Sequence, residues 1–465
     1  MNTMSAWAKA VLGALVALNV GSCSILFDSD AGRPNSLDSG LDAAAADVSL
    51  ADAPADISLA DAPADVSPDD APADVSPDDA AADVSLDDAT EVGADSAEDA
   101  GDEVSADVDP PDADDCGPWS RSFDGLCHLQ SLRSGPTGVV LGGACGTEGD
   151  EVPAIVLLDG CDGHTVDMWT DPAYPGATFT DAVAGAEGRY VGVGAVAFVP
   201  LIDIFTASGE MMPVVLSDAS LSNSALSSVV VDGAGRSWVT GVHWTPVNDP
   251  RWLWMVVDGS GEVASSWTQD VDSRGTSVQV DAAGETVFTA GWQGEGMTAF
   301  VHPASCAQGA AGACKTGYTQ LAFIPPPTDT TTRGYAMLRN VAGDPWLAGG
   351  SIDDGQEAFP VVGSFDVRVE PANVQLATEP GRVTAMVALD QGAVLLGGYT
   401  ITDGAGHAAL WRMGEPDVLG AITPWAPLSG GGVVAMARHG DAVLLLQTTV
   451  FGSTVRRCTL DGVCL

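Results

Sequence analysis

The apolar positions of this sequence form short runs that end at glycine-containing turns. The pattern is clearest in "SSVVVDGAGRSWVTGVHW", which begins at Ser227, and in "TSVQVDAAGETVFTAGWQ", which begins at Thr276. Runs rich in β-branched residues, bounded by such turns and without helical periodicity, predict β-strands. In the first of these repeats we expect strands at residues 227–231, 237–242, 252–257 and 263–269.

The repeat recurs seven times with a period close to fifty residues. Its turn glycines are Gly138, Gly188, Gly235, Gly284, Gly343, Gly392 and Gly440. The steps between them are 50, 47, 49, 59, 49 and 48 residues, and the long fourth step contains the insertion "SCAQGAAGACKTG". Four strands in each unit of this length predict an all-β fold, a seven-bladed β-propeller over residues 116–465.

The seventh repeat supplies only three strands, so one outer strand has to come from elsewhere. Tryptophans recur 15 to 19 residues before a turn glycine, at Trp119, Trp169, Trp267 and Trp425. We interpret this tryptophan as a marker of the outer strand. The segment around Trp119 is therefore predicted to complete the seventh blade, which removes an exposed sheet edge and closes the ring.

Two repeats share an aspartate, a glycine, an aromatic residue and a second glycine at similar spacing. These residues are Asp232, Gly235, Trp238 and Gly241 in one repeat and Asp281, Gly284, Phe288 and Gly291 in the next. The pattern resembles the SBBP-type β-propeller repeat of bacterial surface and secreted proteins. The other repeats match it less well, and the seventh lacks the closing glycine. The resemblance implies a fold and a surface setting, and it implies no activity.

The N-terminal residues predict export and lipid anchoring. Lys9 precedes an apolar run at residues 10–20, which is about half of the ~20 residues that span a bilayer. The letters "VGSC" that end at Cys23 resemble the lipobox of bacterial lipoproteins. This resemblance implies a signal peptide at residues 1–22, a lipidated Cys23 that anchors the chain in the membrane, and, from Ser24, an outer-membrane address with the membrane face left open. The alternative is an ordinary secretory signal with a chance cysteine.

Residues 23–115 have a composition that is typical of a disordered tether. Between Ser24 and Asp115 there are 28 acidic residues against Arg33 alone, and five nine-residue repeats such as "ADVSPDDAP" run without a gap. A segment with so few apolar residues cannot bury enough surface to offset the entropy of ordering its backbone. It has neither the EF-hand pattern nor the glycine pattern of calcium-binding nonapeptides, so we predict no specific metal site in it.

Eight cysteines remain besides Cys23, and an even number in an exported chain predicts disulfides. They are Cys116, Cys127, Cys145, Cys161, Cys306, Cys314, Cys458 and Cys464. We expect Cys306 to pair with Cys314 across a glycine-rich hairpin, and Cys458 with Cys464 across a turn. The other four leave alternatives open. The predicted register favours Cys127 with Cys145, because it places these two on one rim and Cys116 and Cys161 on the other.

Charge and motifs exclude several classes of function. The chain has a net charge of −47, and residues 116–465 alone carry 36 acidic and 15 basic residues. No basic patch offsets phosphate, which argues against nucleic acid as a partner. The sequence contains no Gly-x-Ser-x-Gly nucleophile motif. The near match to a sialidase Asp-box at Asp232 and Trp238 has one residue too many. The six histidines lack the spacing of metal-ligating pairs. We predict no cofactor and no metal site. These observations favour a binding protein over an enzyme.

Ligands of propellers usually bind at the rim where the connections between blades converge over the channel. Candidate residues at this rim are Trp244, Trp292, Asp249, Arg251, Asp353 and Asp354. Aromatic surfaces beside carboxylates suit a sugar or a protein partner. By contrast, Trp252 and Trp254 alternate within a predicted strand, and we expect them to pack between blades.

Three functional hypotheses follow. The leading one is a monomeric, non-enzymatic propeller that is tethered to the membrane and binds a protein or a glycan. An alternative is a polysaccharide hydrolase or lyase with acids gathered over the channel, which requires two carboxylates roughly 5 to 10 Å apart in a pocket. A third is a structural spacer of the cell envelope without a specific ligand.

Overall fold

A computed structural model of the protein describes residues 116–464, with gaps at 124, 126, 148, 215–220, 282, 295, 309–313, 315–318, 325–329, 340–345, 355–356, 366–371, 377–378, 390–391, 403–404, 415–421, 425–427, 429–430 and 450–451. The chain divides into two units, Met1–Asp107 and Val108–Leu465, and the described residues belong to the second. The predictions for the signal, Cys23 and the tether, and those for Gly343 and Trp425, lie outside the described residues. Among the described residues, no helix is long and apolar enough to cross a membrane.

The described residues form antiparallel β-sheets. The first strand is β1 (Trp119–Ser122). The first sheet contains β2 (Cys127–Gly135), β3 (Gly138–Cys145), β4 (Val152–Leu158) and β5 (Thr165–Thr170). The second sheet contains β6 (Thr178–Ala184), β7 (Arg189–Val196), β8 (Val199–Thr206) and β9 (Met211–Pro213). Short 3₁₀ helices occur at Ala186–Gly188 and Ala304–Gln308.

The third and fourth sheets share one long strand. They contain β10 (Ser224–Val231), β11 (Ser237–Trp244), β12 (Pro250–Val257), β13 (Val263–Val280), β14 (Thr286–Gln293), β15 (Gly296–Pro303) and β16 (Thr319–Ile324). The first part of β13 pairs with β12 and its second part pairs with β14. The strand is thus the outer strand of the third sheet and the inner strand of the fourth.

Three further sheets complete the domain. The fifth contains β17 (Thr331–Arg339), β18 (Trp346–Asp353), β19 (Ala358–Phe365) and β20 (Ala372–Gln375). The sixth contains β21 (Gly381–Ala388), β22 (Val394–Thr402), β23 (Ala405–Met413) and β24 (Ile422–Pro424). The seventh contains β25 (Gly432–His439), β26 (Ala442–Thr449) and β27 (Gly452–Thr459), with β1 as its outer strand. The strands predicted for the repeat at Ser227 coincide with β10 to β13, although all four extend further, β13 by the most.

The inner strands of the sheets form a closed ring. β2 contacts β6, and the contacts continue in turn through β10, β13, β17, β21 and β25, which again contacts β2. Four-stranded sheets arranged around such a ring make a β-propeller, as the repeat predicts. We call the edge that carries the connections between second and third strands, and between one sheet and the next, the upper rim. The opposite edge is the lower rim.

The recurring glycines have two separate physical reasons. Every described turn glycine of the repeat has a positive φ, for example +75° at Gly235, which L-residues with a Cβ rarely adopt. The second glycine, as in Gly241, lies opposite a β-bulge between Leu226 and Ser228 of the inner strand. A Cβ on Gly241 would overlap the carbonyl oxygen of Ala225. The same overlap occurs in five other sheets, at Gly143, Gly194, Gly291, Gly350 and Gly398.

The aspartate of the repeat anchors a turn. Asp232 is buried, and its Oδ1 accepts the backbone N–H groups of Ala234 and Arg236 at 2.9 and 3.1 Å. Its Oδ2 accepts bonds from the Arg236 side chain and from Nε1 of Trp238, each at 2.8 Å. All of these bonds are local to the turn, so the near match to an Asp-box is a structural turn.

Hydrogen bonds from the bulges join neighbouring sheets. The hydroxyl of Thr180 in the second sheet donates to the carbonyl oxygen of Leu226 in the third at 2.6 Å. Thr276 of the fourth sheet makes the corresponding bond to Gly334 of the fifth at 2.8 Å, and Thr384 of the sixth bonds the seventh. Buried polar groups must be paired, so these repeated bonds fix the position of each sheet against the next.

The ring closes where β1 pairs with β27, with Trp119 opposite Arg457. The predicted outer strand around Trp119 is therefore confirmed. Arg457 is 2% exposed and donates to the carbonyl oxygens of Cys116 and Gly117 and to Oδ1 of Asp441. A disulfide between Cys116 and Cys161 then ties the start of this strand to the first sheet.

The disulfides join Cys116 to Cys161, Cys127 to Cys145, Cys306 to Cys314 and Cys458 to Cys464. The three predicted pairings are confirmed, including the favoured pair at the upper rim, where β2 begins and β3 ends. Four disulfides are typical of an extracellular or periplasmic protein.

We predict that Gly241→Ala lowers the free energy of unfolding by about 1–3 kcal/mol, because the added methyl group overpacks the bulge. Thermal unfolding followed by circular dichroism measures the change. Gly259→Ala is the matched control, since the nearest atoms to its Cβ are 3.8 Å away. Equal thermal midpoints for the two variants would contradict the steric role of the second glycine.

Candidate binding rim

All the candidate residues lie on the upper rim of three consecutive sheets. Trp244 ends β11 in the third sheet, and Asp249 and Arg251 lie at the connection from β11 to β12. Trp292 lies near the end of β14 in the fourth sheet, and Asp353 and Asp354 lie at the end of β18 in the fifth. Both Trp244 and Trp292 are partly exposed.

An exposed aromatic pair lies across the second and third sheets. Phe198 is 60% exposed, and its ring packs edge-on against Trp244 with centroids 5.3 Å apart and planes at 80°. Val247, in the turn after β11, is 75% exposed. Large apolar side chains grouped on a rim in this way are typical of a binding surface.

The turn that presents Phe198 is strained. Val196 pairs with Val199, so Ala197 and Phe198 alone form the hairpin turn, and both have positive φ values of 46° and 66°. Such turns normally contain Asn-Gly or Asp-Gly, because a residue with a side chain costs roughly 1–2 kcal/mol in this conformation. Strain of this kind is concentrated at functional sites. Sequence reasoning missed Phe198 because "VAFV", residues 196–199, contains no glycine, asparagine or aspartate.

Polar groups hold the aromatic pair in place. The backbone N–H of Trp244 donates to the carbonyl oxygen of Asn223 at 2.8 Å, and Nδ2 of Asn223 donates to the carbonyl oxygen of Trp244 at 2.9 Å. The backbone N–H of Ser224 donates to the carbonyl oxygen of Phe198 at 2.8 Å. These bonds fix the backbone that carries the two aromatic side chains.

The charged candidates on the rim are engaged in local contacts. Arg251 lies 3.7 Å from Asp249, and Arg333 lies 3.9 Å from Asp353. Oδ1 of Asp354 accepts the backbone N–H of Glu357 at 2.8 Å, which stabilises the turn. Exposed ion pairs of this length contribute little to stability, so these pairs are able to reorganise when a charged ligand binds.

The remaining tryptophans of the third sheet are core residues, as predicted. Trp252 and Trp254 are 0% and 1% exposed and stack with centroids 5.1 Å apart. His302, also buried, lies 5.6 Å from Trp254, and burial lowers its pKa to about 4. The aromatic cluster stabilises the contact between the third and fourth sheets and offers no surface to a ligand.

Two carboxyl groups are buried together between the first and second sheets. Asp171 follows β5, Asp203 lies in β8, and both are 0% exposed. Burial and the nearby Asp171 carboxylate raise the pKa of Asp203 to about 8. Oδ2 of Asp171 and both oxygens of Asp203 have no other partner among the described residues, so the raised pKa leaves Asp203 largely protonated at neutral pH. Because it is closed to solvent, this pair does not meet the requirement for a glycosidase site.

A group with metal-ligand chemistry lies on the lower rim, where the sequence predicted none. Ligand atoms of Asp159, Asp162 and His164 lie within 4.8 Å of one another. Nδ1 of His164 is 2.6 Å from Oδ1 of Asp162, and Oδ1 of Asp159 accepts the backbone N–H of Cys161 at 2.7 Å. These contacts order the turn beside the Cys116–Cys161 disulfide.

Asp203→Asn is predicted to change how stability depends on pH. The pKa of Asp203 is raised on folding from about 4 to about 8, so its contribution is fully present below pH 4 and is lost as the pH rises through 8. The variant should therefore gain stability relative to the wild type across this window, by at most about 1.4 kcal/mol per pH unit. Urea unfolding at pH 4 to 9 measures the difference. Asp150→Asn, which changes an exposed carboxylate, is the control. A stability difference between Asp203→Asn and the wild type that does not vary with pH would contradict the raised pKa of Asp203.

Comparison with solved structures identifies the fold. A streptogramin B lyase is similar with a TM-score of 0.50 and 11% identity, covering 73% of this chain and 97% of that chain. Hydrazine synthase of Kuenenia stuttgartiensis gives a TM-score of 0.50 and 10% identity over 72% of this chain and 97% of that one. A periplasmic gluconolactonase of Pseudomonas aeruginosa gives 0.45 and 15% over 73% and 94%. No protein-family model and no curated protein matches the sequence. At these identities the likeness to the first two structures shows the β-propeller fold and no activity.

Proposed function

We propose that the protein is a cell-envelope lipoprotein that binds a glycan or a protein at the upper rim of a seven-bladed propeller, without catalysis. In this proposal Cys23 carries the lipid anchor in the outer membrane, and residues 23–115 are an acidic tether between the anchor and the propeller. The resemblance of the best repeats to SBBP-type propellers of bacterial surface proteins supports this setting.

The observation that carries the proposal is the aromatic pair of Phe198 and Trp244. Phe198 is 60% exposed and is held there by a turn that is unfavourable for its side chain. Neither packing nor turn formation explains a phenylalanine at this position, since glycine or asparagine would serve the turn better. An aromatic surface beside the amide of Asn223 favours a ligand that combines apolar faces with hydroxyl groups, such as a sugar.

The catalytic alternative has weaker support. It needs carboxylates in an open pocket, and the described acid pair with a strongly raised pKa is closed to solvent between two sheets. The charge of the domain supports a partner other than nucleic acid, because residues 116–465 carry 36 acidic and 15 basic residues.

Phe198→Ala and Trp244→Ala are each expected to weaken ligand binding at least tenfold, because a central aromatic contact contributes about 2 kcal/mol or more. A glycan array identifies the ligand, and isothermal titration of the full chain with it measures the effect. Met168→Ala is the control, since this side chain is 50% exposed on the outer strand β5. Binding that survives both aromatic changes would contradict the proposed site, and absence of any glycan or envelope-protein ligand would favour the spacer.

A further inference from the structure

Three arginines occupy one register position on three consecutive inner strands. Each arginine lies two residues before the bulged residue of its own strand. The three are Arg274 in β13, Arg333 in β17 and Arg382 in β21. The other four inner strands have His128, Thr178, Ala225 and Gly432 at this position. Residues 116–465 contain 15 basic residues against 36 acidic ones. Three arginines at one height of the ring therefore concentrate positive charge on a strongly negative domain.

The structure brings the three arginines next to one another. Thr276, two residues after Arg274, donates its hydroxyl hydrogen to the carbonyl oxygen of Gly334 at 2.8 Å, and Gly334 directly follows Arg333. On the other side, the guanidinium carbon of Arg382 lies 5.3 Å from the centre of the Tyr335 ring. The strands β13, β17 and β21 are also in direct contact in that order. We call Arg274, Arg333 and Arg382 the arginine arc.

Aromatic residues alternate with these arginines. Arg274 is the cross-strand partner of Trp292, and Arg382 is the partner of Tyr399. Tyr335 lies between Arg333 and Arg382 and packs against the latter. All three arginines are partly exposed and lie at the end of the inner strand that faces the upper rim. The arc thus adds a charged and aromatic surface beside the sheet that carries Trp244.

We propose that the arginine arc binds the carboxylate groups of an acidic oligosaccharide, a chain that contains uronate sugars. The planar guanidinium group bonds a carboxylate with two parallel N–H donors, and the interleaved rings of Trp292, Tyr335 and Tyr399 suit the apolar faces of pyranose sugars. A long polymer matches the arrangement better than a single anion, because the arginines follow one another along the ring. The ion pair of Arg333 with Asp353, at 3.9 Å, is weak enough for a ligand carboxylate to take its place. This inference rests on the proposed function and names its ligand class.

The test is titration of the full chain with oligogalacturonate, with its fully methyl-esterified form, with a sulfated oligosaccharide of equal length and with polyglutamate. We expect oligogalacturonate to bind, with an affinity that falls as salt is added, and the methyl-esterified form to bind at least tenfold more weakly. Arg333→Gln and Arg382→Gln should each weaken binding about tenfold, since each removes charged hydrogen bonds. Arg333→Lys should give an intermediate loss, because it keeps the charge without the paired donors.

Arg412→Gln is the matched control, because Arg412 is exposed on β23 and lies outside the arc. Equal binding of the charged and methyl-esterified forms, or unchanged affinity in both glutamine variants, would overturn the arginine arc while leaving the aromatic site intact. Tighter binding of the sulfated chain would overturn the choice of a carboxylate, and binding of polyglutamate alone would replace the glycan by an acidic peptide. If none of the four probes binds the wild type, this inference fails, whereas the proposed function fails only if no glycan and no envelope protein binds.

Discussion

Pairing of β1 with β27 is the interaction on which the rest of the fold depends. An open row of sheets has two unpaired ends, whereas a closed ring has each inner strand in contact with two others. The protein closes its ring with only four residues, Trp119–Ser122, and reinforces them with Arg457, which is buried against the carbonyl groups of Cys116 and Gly117. The Cys116–Cys161 disulfide extends the closure to the first sheet, and a disulfide of this kind typically contributes about 2–4 kcal/mol.

Closure has a consequence for the upper rim. Residues at the same register position of the inner strands lie at one height around the channel only if the ring is closed. The hydrogen bonds of Thr180, Thr276 and Thr384 keep neighbouring sheets in that alignment. The rim therefore combines side chains from separate repeats into one surface. The aromatic pair of Phe198 and Trp244 and the arginine arc belong to different sheets, and neither exists within a single repeat.

Much of the fold follows from the sequence because the repeat records backbone constraints. The turn glycines are set by positive φ values, and the second glycine is set by the bulge opposite it, so both remain visible in weak copies. The tryptophan that recurs in the outer strand likewise predicts β1. The binding surface is less visible. Phe198 lies in a turn without turn residues, and Arg274, Arg333 and Arg382 align only after the bulges are known, so periodicity alone does not group them. Trp244 and Trp292 are candidates from the sequence because they lie at strand ends, whereas Asp171 and Asp203 belong to separate repeats and come together only in the fold.

Hydrogen–deuterium exchange tests most sharply whether β1 stabilises the sheets on both sides of the closure and not only the seventh sheet. In one variant glycines replace Trp119–Ser122, and in its control glycines replace the four residues of β20, Ala372–Gln375, an outer strand of equal length in the fifth sheet. Loss of β1 should lower the protection of backbone amides in the first, sixth and seventh sheets together, whereas loss of β20 should lower it in the fifth sheet alone. Faster exchange confined to β27 in the β1 variant would show that β1 stabilises only its neighbouring strand, and would contradict its role in holding the ring closed.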